Sequence, residues 1–340
     1  MIYLDRNEYN FAPSKEVIEA AKNFDIKKLC FYTRDYDSSP MVDYLAEETG
    51  INNKNILLGY GGEDILNQAV HYYLEKNNNK KILIPKYSWW YYKSIAEEVD
   101  GITYEYEVYE DGNSFKYDYQ KISQQIEEVN PAVIMLATPN NPTGNALSIE
   151  ELEQFISIIP KDIVILIDEA YSSYVNDDDS YIKILIEKYP NIILIRTLSK
   201  FYGLPGLRLG FAFISENLNS FIKYGKKYLG YNRFSEEVGM AALQSKSHYK
   251  KVASEMSEGR NLFKNELSDL KGFKVYDSLA NFVFIKYPIE IKDTLEKELN
   301  NLGIKIKFMN EEHLNSHLRI TLGPIEYMKE IVNTIKKTSK

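Results

Sequence analysis

The chain has 340 residues, enough to bury a substantial core and to form one large and one smaller domain. Hydrophobic residues at 44% and charged residues at 26% are the proportions of an ordinary soluble globular protein. The formal charge of −8, from 41 basic and 49 acidic residues, comes with no dense lysine/arginine block and argues against nucleic acid as a partner.

The N-terminus, Met1-Ile-Tyr-Leu-Asp-Arg-Asn-Glu8, lacks the basic-then-apolar shape of a signal peptide, and no apolar run is long enough to cross a bilayer. A cytoplasmic location is expected. The single Cys30 excludes an internal disulfide, suits a reducing compartment and reads as a small buried hydrophobe. The 28 tyrosines read as a compositional bias.

From about residue 55, short β-rich apolar runs alternate with helical stretches. Ile56-Leu-Leu58 precedes the glycine turn Gly59-Tyr-Gly-Gly62 and a helix from Glu63 to about Lys76. Lys81–Ile84 ends at Pro85, Ala132–Leu136 ends at Thr138-Pro139, and Ile163–Ile167 ends at Asp168. Asn191–Ile195 ends at Arg196, and Gly210–Ile214 follows a lysine-bearing loop. Near-continuous apolar strands of this kind imply an α/β fold whose mostly parallel sheet is covered by helices on both faces. After about residue 240 the pattern changes. A long polar helix, roughly 235–270, leads to strands at Lys274–Tyr276, Asn281–Ile285, Gly303–Ile306 and His317–Leu322. These read as a smaller α+β domain closed by a terminal helix, with the first 25 or so residues packed against it.

Ligands of parallel sheets sit beyond the carboxyl ends of the strands, where Gly61, Gly62, Tyr87, Asn141, Asp168, Tyr171, Ser199 and Lys200 all fall. Lys200 stands between Ser199 and Phe201-Tyr202, so it is either a solvated charge or a desolvated, nucleophilic amine. Asp168 could cap the next structure or hold a pyridinium proton, and Tyr171 would project from the same edge. Asn140-Asn-Pro-Thr-Gly144 is a turn that also presents the Asn141 amide. Gly59–Gly62 before a helix is a generic phosphate cradle. The aromatics of Pro85-Lys-Tyr87-Ser-Trp-Trp90 serve either core packing or stacking on a planar ring. Arg208 and Arg319 lie in apolar settings and imply either an anionic ligand or an internal ion pair.

Together these residues resemble the fold-type I pyridoxal-phosphate enzymes, specifically the class I/II aminotransferases of the histidinol-phosphate aminotransferase branch. The motifs are Leu4-Asp-x-Asn7-Glu8, Asn140-Asn-Pro-Thr-Gly144, Asp168-Glu-Ala-Tyr171, Arg196-Thr-Leu-Ser-Lys200, Gly206-Leu-Arg-Leu-Gly210 and Leu318-Arg-Ile-Thr321, in family order across nearly the whole chain. The resemblance implies pyridoxal 5'-phosphate (PLP) held by Lys200 as a Schiff base, with Lys200 also moving the proton at the substrate carbon. Asp168 would pair with the pyridine nitrogen, and Asn141 and Tyr171 with the ring oxygen. Gly61, Gly62, Glu63, Thr197, Ser199 and Arg208 would bind the phosphate end, Tyr87 would stack on the ring, and Arg319 would grip the substrate's anionic group. Tyr32 matches a tyrosine reaching the neighbouring subunit's phosphate in a homodimer, although Thr33-Arg-Asp-Tyr-Asp-Ser-Ser39 departs from the family's tyrosine-proline pattern.

The resemblance also divides the chain into an N-terminal segment (1–30), a large PLP-binding domain (31–235) and a small C-terminal domain (236–340). Two departures bear on the substrate. The chain begins almost directly at Leu4-Asp5, without the family's N-terminal extension, and a second substrate arginine is replaced by Lys307, which cannot grip an anion bidentately. Arg233 is an extra cation near the entrance that either compensates for the missing arginine or, as its setting favours, is an ordinary surface residue. The expected activity is transamination of a small anionic amine, possibly phosphorylated, with glutamate and 2-oxoglutarate as the second pair. The alternatives are a decarboxylase of a phospho-amino acid, resembling the threonine-phosphate decarboxylases, and a non-catalytic PLP-binding sensor.

Overall fold

A computed structural model of the chain describes residues 1–33, 39–176 and 178–339. The strands are β1 (Ile2–Leu4), β2 (Ile56–Gly59), β3 (Lys81–Pro85), β4 (Ile102–Tyr106), β5 (Val108–Asp111), β6 (Ser114–Tyr117), β7 (Val133–Ala137), β8 (Val164–Asp168), β9 (Ile192–Thr197), β10 (Gly210–Ile214), β11 (Lys274–Val275), β12 (Phe282–Lys286), β13 (Ile304–Phe308) and β14 (His317–Thr321). The α-helices are α1 (Lys15–Asn23), α2 (Pro40–Thr49), α3 (Gly62–Lys76), α4 (Tyr91–Glu97), α5 (Tyr119–Val129), α6 (Ile149–Ser157), α7 (Ser180–Lys188), α8 (Asn219–Gly225), α9 (Arg233–Gln244), α10 (Lys246–Leu267), α11 (Lys292–Asn301) and α12 (Ile325–Thr338).

Seven strands form the larger sheet in the order β2-β10-β9-β8-β7-β3-β4. The neighbours from β9 to β4 are parallel, as their apolar character implies, while β10 runs antiparallel to both β9 and β2. The reversal has a local cause. The loop from Leu198 to Leu209 holds only a 3-10 turn and no crossover helix, so the chain returns beside β9 in the opposite direction. The edge strand β4 was not legible as an apolar run, because Ile-Thr-Tyr-Glu-Tyr carries an edge strand's polar residues.

Alternation in the central strands distributes their side chains between two cores. Ile134, Leu136, Ile165, Ile167, Ile192 and Leu194 face one core with Ile122, Phe155 and Tyr181 from α5, α6 and α7. Val133, Met135, Val164, Leu166, Ile193 and Ile195 face the other with Ile65, Tyr92 and Phe221 from α3, α4 and α8. Each of these side chains contributes about 1.5–3 kcal/mol on burial. The strands are therefore firmly held, and the loops leaving their carboxyl ends start from fixed points.

The smaller sheet has the order β1-β13-β14-β12-β11, with β1 parallel to β13 and the other pairs antiparallel. Leu4, Val283, Ile285 and Ile320 pack there against Phe263 of α10 and Met328 of α12. The N-terminal segment thus joins the smaller sheet, and α1 turns back onto α9, where the Ser14 and Ser245 hydroxyls lie 3.0 Å apart. The polar stretch expected as one helix over 235–270 is two helices. The break is at Ser245, whose hydroxyl bonds back to the Ala241 carbonyl at 2.6 Å.

Asp168 and Glu169, successive residues at the end of β8, find different partners. Glu169 is buried and accepts hydrogen bonds from Arg196 Nε at 2.9 Å and the Tyr181 hydroxyl at 2.8 Å, while Arg196 also pairs with Asp179 at 2.9 Å. Arg196 lies on β9, so this cluster ties the ends of the two strands that carry Asp168 and the lysine loop. Glu169→Gln leaves the Arg196 cation short of its most buried counter-charge and should lower stability by about 3 kcal/mol in urea denaturation. An unchanged midpoint would mean that the pair does not hold the strand ends.

Candidate active site

A cavity of about 750 Å³ opens where the carboxyl ends of β3, β7, β8 and β9 meet β13, β14 and the N-terminal segment. Lys200, Asp168, Tyr171, Asn141, Gly62, Glu63, Thr197, Ser199, Arg208, Lys307 and Arg319 all line it. Gly62, Asn141, Asp168, Tyr171, Ser199 and Lys200 follow strand ends in the sequence, Arg208 and Arg319 stand in apolar settings, and Glu63, Thr197 and Lys307 follow from the family resemblance; the fold brings them together.

The Lys200 amine donates to the carbonyls of Arg6 at 3.3 Å and Asn7 at 3.5 Å, and the Tyr174 hydroxyl holds the Lys200 carbonyl at 3.1 Å. It lies 6.0 Å from the centre of the Tyr171 ring. Desolvation lowers its pKa to about 8, and the Arg319 cation adds to the lowering. About a tenth of such an amine is neutral at pH 7, against well under a thousandth of an exposed lysine.

Asp168 is enclosed, and burial raises its pKa. Opposing that rise, the Tyr92 hydroxyl donates to one carboxylate oxygen at 2.6 Å and the Ala170 N–H to the other at 3.0 Å. The buried Tyr171 hydroxyl accepts from Asn7 Nδ2 at 2.8 Å, and burial raises its pKa to about 12. Asn7 is itself fixed on three sides. Its N–H donates to Thr321 Oγ1 at 2.9 Å, its carbonyl accepts from Asn281 Nδ2 at 3.0 Å, and its backbone is left-handed at φ +57°.

At the other end of the cavity, Gly61 (φ +90°) leads into the N-terminus of α3. A Cβ on Gly61 would lie 2.7 Å from the Arg208 guanidinium, and one on Gly210 would lie 2.4 Å from the Gly62 nitrogen, so only glycine permits this close approach. Arg208 donates to the Tyr60 carbonyl at 3.2 Å and pairs with Glu63 at 3.3 Å. The Thr197 and Ser199 hydroxyls lie 2.9 Å apart beside it. The Tyr231 phenol lies between the carbonyls of Gly59 and Arg208, the latter at 2.6 Å, and joins the two halves of the cradle.

Arg319 is only 9% exposed, yet among the described residues no carboxylate pairs with it. It donates to the Asn141 side chain and, at 2.8 Å, to the Asp5 carbonyl, while its Nε is buried without a partner. Lys307 stands opposite it in the β13–β14 register.

Tyr87, Tyr32 and Cys30 lie outside the cavity lining. Tyr87 packs edge-on against Phe115 with ring centres 6.0 Å apart, and the aromatics of its segment that line the cavity are Trp89, Trp90 and, at the start of α4, Tyr92. Trp90 is 63% exposed, an unusual state for an indole, and that is why a core-packing reading of this segment does not hold for it. Tyr32 is 69% exposed outside the cavity, its carbonyl accepting from Arg233 at 2.8 Å. The departing stretch after Tyr32 lies mostly outside the described residues. Cys30 is exposed rather than buried. Tyr92 and Asn7 carry little individual signal in the sequence: Asn7 stands within the Leu4-Asp-x-Asn7-Glu8 motif, whereas Tyr92 has only its place after an aromatic run.

The model of the family "Aminotransferase class I and II" matches residues 1–335. The chain is 30% identical to the histidinol-phosphate aminotransferase of Clostridium novyi (strain NT) and 31% identical to that of Brachyspira hyodysenteriae. Each comparison covers 98% of this chain and 91% of the relative. The chain belongs to the class I and II aminotransferases. Among solved structures, the histidinol-phosphate aminotransferase from Sinorhizobium meliloti in complex with pyridoxal-5'-phosphate is similar with a TM-score of 0.87 at 22% identity, over 99% of this chain and 90% of that one. The L-threonine-O-3-phosphate decarboxylase from Porphyromonas gingivalis shares the fold with a TM-score of 0.82 at 18% identity, over 99% of each chain.

The protein is thus a PLP-dependent aminotransferase, and the aminotransferase cavity fits that cofactor. The glycine-lined cradle at the start of α3, beside Arg208 and two hydroxyls, suits a phosphate. An enclosed carboxylate and a partly neutral amine face the same space. In cofactor-free protein, the rate of covalent attachment of PLP, followed by borohydride trapping, should rise with pH through about 8 and then level off. Arg319→Met should move that midpoint upward by removing a repelling cation. A rate still climbing near pH 10, the range of an exposed lysine, would contradict the lowered pKa.

Proposed function

We propose that this aminotransferase acts on a small anionic amine, with Lys200 as the cofactor-bearing and proton-moving residue and glutamate/2-oxoglutarate as the second pair. The observation that carries this reading is Arg319: a buried guanidinium without a carboxylate partner among the described residues, its Nε unpaired, lining the same cavity as the Lys200 amine. An enclosed cation of this kind calls for an anionic ligand, and Lys307 beside it adds a second positive charge. Histidinol phosphate, the compound for which the curated relatives are named, is the first substrate to test.

PLP supplies an electron sink for charge developing at the substrate's Cα. In this reading the residues divide the remaining work. Gly61, Gly62, Glu63, Thr197, Ser199 and Arg208 hold the phosphate end, Glu63 acting by orienting Arg208. Asp168 holds the ring nitrogen, and Asn141 and Tyr171 the ring oxygen, while Trp89 and Trp90 supply the aromatic wall in place of Tyr87. Lys200 Nζ, partly neutral near pH 7, can accept and return a proton.

The reading extends to a cytoplasmic homodimer with a cofactor-holding unit at 31–235 between an N-terminal segment and a small domain from 236. Exposed Cys30 suits a reducing compartment. Tyr32 and Tyr60 support a subunit contact: both are exposed, one is held by Arg233 and the other stacks on Tyr231, so they flank one segment of the surface.

The test is a coupled assay of the PLP-loaded enzyme. Histidinol phosphate with 2-oxoglutarate should yield glutamate, with kcat/KM about 10–100-fold above that for unphosphorylated histidinol, the discrimination expected of a charge-assisted contact. Lys200→Ala should remove turnover without loss of fold. Carbon dioxide release from a phospho-amino acid, with no amino transfer, would overturn the reading.

A further inference from the structure

Tyr92 is a cavity residue to which the proposed division of work assigns nothing. It lies in the first turn of α4, is 1% exposed, and its ring meets that of Trp89 at 75° with centres 5.9 Å apart. Its hydroxyl donates to Asp168 Oδ2 at 2.6 Å. The other oxygen of Asp168 accepts the Ala170 N–H at 3.0 Å.

A carboxylate this enclosed is costly to keep charged unless donors reach it. The groups facing Asp168 are few: Tyr92 from α4, the Ala170 N–H and Tyr171 from the end of its own strand, and Lys200 from the loop after β9. Lys200 is the cation among them, but its amine is occupied by the carbonyls of Arg6 and Asn7. Among the described residues, that leaves the Tyr92 phenol as the side chain bonded directly to the acid. A phenol suits the task because it donates without bringing a positive charge that would neutralise the carboxylate, and burial raises its own pKa far enough to keep it a donor.

We propose that Tyr92 is a positioning residue that acts through Asp168, keeping that carboxylate ionised and turned toward the ring nitrogen of the cofactor. The inference rests on the reading of Asp168 given above. Its test is a double-mutant cycle read as PLP affinity, by visible absorbance, in the wild type, Tyr92→Phe, Asp168→Asn and the double variant. Phenylalanine keeps the ring that packs on Trp89 and removes only the hydroxyl. With Asp168 in place, Tyr92→Phe should weaken PLP binding about tenfold or more, the effect of losing a hydrogen bond to a charged group. Added to Asp168→Asn, the same substitution should weaken it less than about twofold, because no charged acceptor is left to lose the bond.

The affinity of Tyr92→Phe should also fall away at higher pH on acidification than that of the wild type, because the acid takes up its proton more readily without the donor. A general distortion of the site would lower affinity equally at every pH. Equal loss with and without Asp168→Asn, or no loss while Asp168 is present, would overturn the proposal. If Asp168→Asn alone leaves affinity unchanged, it is the reading of Asp168 that fails.

Discussion

An amine at the edge of a sheet is ordinarily a solvated cation, and the amine of Lys200 departs from this because two parts of the chain close over it. The loop after β9 carries it, the backbone carbonyls of Arg6 and Asn7 receive it, and the Arg319 cation stands near enough to disfavour a second positive charge. Asp168 faces the same enclosure with the opposite sign: burial works against its charge, and Tyr92 and Ala170 sustain it. Acid and amine are held by separate partners, which leaves both available to a ligand placed between them.

This arrangement depends on both sheets. The larger sheet sends Asp168, Asn141, Lys200 and the glycine turn at the start of α3 from its strand ends, whereas Arg319 and Lys307 come from neighbouring strands of the smaller sheet. The N-terminal segment joins them. Pairing of β1 with β13 fixes residues 2–4 to the smaller sheet, and Asn7, just beyond β1, bonds to both Thr321 and Tyr171. Below the site, the Glu169–Arg196 pair occupies the neighbouring position to Asp168, so the same strand end turns one acid into a buried ion pair and the other toward the cavity.

Much of this was legible in the sequence, for physical reasons. Apolar strands buried on both faces are continuous runs, so β7, β8 and β9 could be read and their carboxyl ends located. The residues after those ends then had to be neighbours. What could not be read depends on contacts between distant segments. The reversal of β10 follows from a loop without a helix, the break at Ser245 from a side-chain bond to Ala241, and the exposure of Cys30 and Trp90 from the surface the fold leaves open. Tyr87 and Trp90 are alike in one dimension; only the turn into α4 decides which of them meets the cavity. Tyr92 is the extreme case, since its role requires knowing where Asp168 lies.

The assignment of the reacting amine has a direct check. PLP-loaded protein reduced with borohydride and mapped by peptide mass spectrometry should carry a single pyridoxyl group on Lys200, within the segment Thr197–Arg208. A label on Lys307, or one spread over surface lysines, would contradict the claim that this enclosed amine is the one the fold prepares for the cofactor.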